Sequence, residues 1–189
     1  HLFGTSNYIL NVYYPHEWTK NSGSKDMVNI AVQLFFLDSG GGALPEELEQ
    51  NQIDFFHVHH QPNLPGTLVF QHIPTTEFAC TGSNTSGFLH HDGIDAIKRD
   101  PGMIETLQRA GNVHLLAVGH EHGNDYCCQP PPPLTSNRNN NDKKISSCLH
   151  ICFGRHSGYG GYGEWGRGAP VSVLPLGKQK GEAFGGEGT

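Results

Sequence analysis

The chain has 189 residues, 35% of them hydrophobic, and a formal net charge of -6 from 12 basic and 18 acidic side chains. That length suits one domain, or a large piece of one, and allows a buried core. The acidic balance removes any electrostatic reason to expect a nucleic-acid partner or an anionic membrane surface.

No apolar run approaches the length of a membrane span, so no membrane partner is expected. The first residue is His1, with no charged-then-apolar leader, which predicts either processing or an origin within a longer protein. The 25 glycines predict a loop-rich globular protein, and 13 histidines outnumber Lys plus Arg, placing unusual weight on imidazole chemistry. Five cysteines leave at least one outside any disulfide framework. Asn84-Thr85-Ser86 is a glycosylation sequon, meaningful in a secreted protein, and these features together predict an extracellular or secretory/vacuolar compartment.

In chain order, residues 6–14 and 29–40 are rich in Ile, Val, Tyr and Phe and bounded by turn formers, predicting two strands joined by a polar hairpin-type connection. Residues 44–60 open with Pro45 and Glu46 and space Leu48, Ile53 and Phe56 at helical intervals, predicting a helix that ends before Pro62. Residues 66–74 predict a short strand stopped by Pro74, and 78–93 a loop. Residues 100–112 predict a helix with Asp100 as N-cap, Pro101 at its first position and Gly111 just past its end.

Residues 113–119 then predict a buried strand, 129–144 a surface insertion too polar and proline-rich to pack a core, and 145–154 another strand. The tail after Leu176 is predicted to be flexible. This alternation of strands and helices predicts a layered α/β architecture.

In open α/β sheets functional groups collect where strands end. "LVFQHIP" places His72 beyond one apolar strand, and "LLAVGHEH" places His120 and His122 beyond another, after a glycine that lets backbone turn closely beneath a bound ion. On extended chain, imidazoles two residues apart point the same way. His57, His59 and His60 in "FFHVHHQ" mimic a metal cluster but are better read as a polar helix end.

"GTLVFQHIPTTEF", "LLAVGHEHGNDYCC" and "LHICFGRHSGYGGYGEWGRGAPV", with "FLDSG" and "GTSNYIL", together resemble the C-terminal half of calcineurin-like metallophosphoesterases, in their purple acid phosphatase-like branch. The resemblance implies an α/β/β/α sandwich, here incomplete at its N-terminus, over residues 1–176. It also implies phosphoric monoester hydrolysis at a dinuclear centre of iron, zinc or manganese, in which two cations clamp the phosphoryl oxygens and activate a water. His72 and His120 would serve the second metal and His122 the first. Pro170 stands where the family more often has arginine.

Carboxylates must complete and bridge such a site. The family supplies them from D-x-H, G-D and G-N-H motifs, none of which is present. "GNVH" at 111–114 is interrupted by Val113, and Asp92 and Asp95 in "HHDGID" follow the H-I-P element instead of preceding it. The expectation is a chain inactive alone, partnered by a missing N-terminal half or by self-association and acting in the complete domain on a phosphate ester. The competing expectation is a non-catalytic structural or assembly protein derived from the same fold.

Asn124 and Asp125 are candidates for orienting His120 or His122, and serve equally as turn formers. Arg155 and His156 are candidate substrate contacts. Cys127, Cys128 and Cys148 are candidate disulfide partners, one bridge across the proline-rich insertion limiting its entropy, whereas Cys152 inside an apolar strand reads as a free core thiol.

Overall fold

The structure is a computed structural model that describes residues 6–15, 29–80, 85–88, 92–133 and 149–174. The connection at 16–28, the sequon residue Asn84, the insertion from 134 onward with Cys148, and the tail lie outside the described residues.

Seven strands form one sheet in the order β1-β2-β3-β5-β7-β6-β4. They are β1 (Tyr8–Tyr13), β2 (Ile30–Phe36), β3 (Gly66–Phe70), β4 (Thr85–Phe88), β5 (Val113–Val118), β6 (Asp125–Cys128) and β7 (His150–Phe153). The helices are α1 (Gln50–His59) and α2 (Met103–Ala110), with a single 3-10 turn at Thr76–Phe78. The fold is mixed α/β, as expected; the second sheet of a four-layer sandwich is not found among the described residues.

Strands β2, β3, β5 and β7 run parallel, and β1, β6 and β4 flank them in antiparallel pairings. Alternation along the strands divides the sheet into two faces. Phe35, Val69, Leu116 and Ile151 occupy one face, and they share a single buried cluster with Ile53 and Phe56 of α1 and with Met103, Ile104 and Leu107 of α2. On the other face Tyr8 stacks on Phe36 at 4.6 Å and Phe36 on Phe70 at 4.9 Å. The outer strand β1 leaves Tyr8, Leu10 and Val12 about half exposed.

Three sequence expectations are corrected. The first helix begins at Gln50 instead of Pro45, because the preceding residues are tied to a neighbouring segment: Leu48 N–H donates to Arg99 O at 2.9 Å and Lys98 N–H to Glu46 O at 2.8 Å. A capping box then starts the helix, with Gln52 Oε1 accepting from the Glu49 N–H at 2.9 Å. In α2, Gly102 takes the N-cap position at φ 102°, while Asp100 reaches past Pro101 to accept from the N–H groups of Gly102 and Met103 at 2.9 and 2.8 Å. Finally, the loop expected at 78–93 contains β4, which exists through its pairing with β6.

Cysteine pairing also differs from expectation. Cys152 is not a free thiol: it is bonded to Cys127, and Cys128 is bonded to Cys80. Cys127 and Cys152 are register partners of β6 and β7, so strand pairing itself brings their Cα atoms to 4.1 Å.

Candidate functional site

The parallel strands β2, β3, β5 and β7 bring their C-terminal ends to one edge of the sheet, and the chain leaving each end carries polar side chains: Ser39, His72, His120 with His122, and Arg155 with His156. Hydrogen bonds knit these loops together. Ile73 N–H donates to Ser39 Oγ at 2.9 Å, Gly119 N–H to His72 O at 2.9 Å, and Gly154 N–H to Val118 O at 2.6 Å. The approach is close at Gly119, where a Cβ would stand 3.2 Å from His72 Nδ1 and the imidazole would have to shift slightly to admit it.

His120 has φ 74°, a left-handed conformation that no other described non-glycine residue adopts. That conformation costs roughly 1–2 kcal/mol for a side-chain-bearing residue and breaks the alternation an extended chain would impose. The two histidines consequently have different neighbours. His120 meets His72 edge-on at 5.3 Å between ring centroids. His122 is instead sandwiched between His156 at 4.3 Å and Tyr162 at 4.2 Å. Glu121, between them, turns inward and accepts from the Asp95 N–H at 2.6 Å.

Electrostatics follow from this packing. Burial, followed by the neighbouring His120 and His122, holds the His72 pKa below the usual imidazole range and so favours its neutral, lone-pair-bearing form. Burial pushes the Glu121 carboxyl up, against opposing contributions from the Asp95 N–H and His120. Burial also acts to raise Asp92, but hydrogen bonds from Tyr162, Gly123 and Gly93 outweigh it and the net shift is downward. Glu121 Oε2 and His156 Nδ1 are buried with no hydrogen-bond partner. Each such atom costs about 1–3 kcal/mol unless a further polar group reaches it.

The glycine-rich segment after β7 closes over His122. Tyr162 donates its hydroxyl proton to Asp92 and accepts from the His122 N–H at 3.2 Å, while the Tyr162 carbonyl lies 3.0 Å from His122 Nδ1. Gly161 sits where a Cβ would come within 2.3 Å of His122 Cε1. The Trp165 indole packs against Gly123 and Gly163 and meets the Tyr162 ring edge-on at 5.7 Å.

The remaining sequence candidates hold other partners. Asn124 is fully buried and ties down the Asp92–Gly93 loop, accepting from the Asp92 N–H at 3.2 Å and donating to Gly93 O at 3.0 Å. Asp125 pairs with Arg155, whose Nε also donates to Gly166 O at 2.5 Å. A phosphate at Arg155 would therefore compete with Asp125 and Gly166 for the guanidinium. His60 stacks on Phe56 and lies 2.6 Å from Asn112 Oδ1, consistent with a helix-end role.

The sequence does not single out Glu121, Tyr162 or Trp165, and it sets Asp92 aside because it follows the H-I-P element. The glycine-rich run at 154–163, which permits a close backbone approach, is the sequence signal that points toward Tyr162.

The donor chemistry suits transition metals, because neutral imidazole binds iron, zinc and manganese. The described geometry does not complete a dinuclear centre. Among the described residues no three His, Cys, Asp or Glu side chains stand together as a metal-holding group, and no carboxylate bridges His72, His120 and His122.

Comparison with known proteins supports a phosphoesterase-like family for this α/β chain. It is 32% identical over 203 residues to Probable inactive purple acid phosphatase 29 of Arabidopsis thaliana, a match spanning 95% of this chain and 46% of that protein. It is 26% identical over 191 residues to Probable inactive purple acid phosphatase 28 of the same plant, spanning 93% and 42% respectively. Phosphatase DCR2 of Saccharomyces cerevisiae is 27% identical over 143 residues, 66% of this chain and 23% of that protein. The chain thus spans less than half the length of each of these relatives. No family model and no solved structure matches it.

Proposed function

We propose that this chain is part of a metal-dependent phosphoric monoester hydrolase of the purple acid phosphatase-like kind, and that it contributes the histidine side of a dinuclear site. His72, His120 and His122 are the proposed ligands for iron, zinc or manganese, and Arg155 and His156 the residues proposed to face the phosphate ester. The observation that carries this reading is the delivery of His72, His120 and His122 to one edge of the sheet by the parallel strands β3 and β5. Sequence similarity to three proteins named as phosphatases supports it.

Because the described residues do not complete the centre, the 189-residue chain is proposed to be inactive alone. Purified protein supplied with each metal is expected to give no sustained turnover of an aryl phosphate. Robust turnover would show that the absent carboxylate motifs are not needed. Metal analysis of the protein at its natural length tests the wider reading, which requires stoichiometric transition metal together with aryl phosphate hydrolysis.

A second reading, a non-catalytic structural or assembly protein on the same fold, is favoured by one observation: two of the three relatives carry "inactive" in their names. Natural-length protein that contains neither metal nor activity would favour it over the enzyme reading.

The disulfides Cys80–Cys128 and Cys127–Cys152 support an oxidising compartment, which we propose to be extracellular or secretory/vacuolar, with Asn84 as the glycosylated residue. No helix among the described residues is long and apolar enough to cross a membrane.

A further inference from the structure

His156, His122 and Tyr162 form a three-ring stack, with His156 innermost at 8% exposure and Tyr162 outermost at 50%. Each imidazole has one ring nitrogen against a backbone carbonyl of the same short turn. His156 Nε2 lies 2.7 Å from Gly160 O, and His122 Nδ1 lies 3.0 Å from Tyr162 O.

A carbonyl oxygen only accepts, so the nitrogen facing it must carry the proton. In the neutral ring the opposite nitrogen then keeps the lone pair. His122 is thereby fixed as the Nδ1–H tautomer, with Nε2 unprotonated. His156 is fixed the opposite way, as Nε2–H, and its unprotonated Nδ1 is the buried atom that no polar partner reaches.

We propose that the Gly160–Tyr162 turn is a positioning device that presets complementary tautomers in His122 and His156. His122 then offers an unprotonated Nε2 to an electron-pair acceptor, either a cation or a ligand O–H, while the unprotonated Nδ1 of His156 stays enclosed behind it. Tyr162 is the positioning residue, acting on His122 through four features: its carbonyl at Nδ1, its ring against the imidazole, its hydroxyl at the His122 N–H, and its hydrogen bond to Asp92. Gly161 makes the approach possible, because at φ 89° it avoids both the strain and the collision that a side chain would bring.

The inference rests on the reading of His122 and His156 as site residues, but it requires neither bound metal nor turnover, so its failure is distinguishable from failure of the proposed function. The test is a long-range proton–nitrogen correlation spectrum of the full chain labelled with 15N-histidine, recorded at mildly alkaline pH where imidazole is neutral. Expected are a protonated Nδ1 at His122 and a protonated Nε2 at His156.

Gly161→Ala is expected to turn the His122 signals into those of a tautomer mixture, leaving the amide spectrum of β2 and β3 unchanged. Tyr162→Phe retains the carbonyl and the ring and is expected to preserve both tautomers. A wild-type His122 protonated mainly at Nε2 overturns the proposal, as does a Gly161→Ala protein with both tautomers unaltered. If Gly161→Ala does not fold, the wild-type spectrum alone decides.

Discussion

Cys127 and Cys152 are register partners on adjacent antiparallel strands and are joined by a disulfide, while Cys128, next in the chain, is bonded to Cys80. The two bridges thus hold β6 between β7 and the segment that precedes β4. They close segments with sequence separations of 25 and 48 residues. On a chain-entropy basis each stabilises the fold by about 3–4 kcal/mol. A Cys127→Ser, Cys152→Ser double variant is expected to lose a corresponding unfolding free energy and to show a steeper denaturant slope, because the unfolded chain freed of the bridge exposes more surface, measured by equilibrium unfolding of the oxidised protein.

The left-handed backbone at His120 gives an ordering among substitutions. His120→Gly and His120→Ala both remove the ring, but only glycine adopts φ near 74° without a Cβ penalty. The glycine variant is expected to be more stable than the alanine variant by about 1 kcal/mol. Paired thermal melts provide the comparison, and equal stabilities would contradict the strain.

Asp100 gives a pH dependence with a definite sign. Burial, together with the smaller influence of Glu77, pushes its carboxyl above the ordinary aspartate value, against two N–H bonds that pull it down. The folded state therefore holds the proton more tightly than the unfolded chain. Stability falls as pH rises from the unfolded value to the raised folded value, and is flat above it. Asp100→Asn keeps an acceptor for Gly102 and Met103 but cannot ionise. Its stability relative to wild type is expected to improve across that acidic window. Asp100→Ala, which leaves the Gly102 and Met103 N–H groups without their acceptor, is expected to cost about 1 kcal/mol. Urea unfolding of the three proteins at a series of pH values checks both statements.

Arg155 holds Asp125 and the Gly166 carbonyl at once, a geometry that uses the planar spread of guanidinium donors. The pair is about a quarter exposed on each side, so solvent screens it in part. Arg155→Lys is expected to destabilise by about 1 kcal/mol, because one ammonium cannot span both acceptors. Thermal unfolding measures the change.

Much of the framework was legible in the sequence. Strands β2, β3 and β5 are apolar, β-branched and aromatic runs bounded by turn residues, and each was read to within a few residues. Strands β4 and β6 were not, because each has four residues with little apolar signal and owes its existence to pairing with a neighbour. Cysteine parity showed only that not every cysteine could pair. The pairing itself follows from strand register, to which the spacing of cysteines along the chain gives no access.

The same division holds at the site. Sequence alone determined that His72, His120 and His122 follow apolar strands, since strand propensity and glycine punctuation are local properties of the chain. Which rings meet was decided only by tertiary structure. The φ of His120 parts it from His122, and Tyr162, 40 residues further along, closes on His122 while its hydroxyl reaches Asp92, 70 residues back. A side chain's partner across such separations is set by sheet order and backbone dihedrals. Neither is encoded in the spacing of residue types, so the sequence marked the edge of the sheet where chemistry gathers and the fold arranged the imidazoles along it.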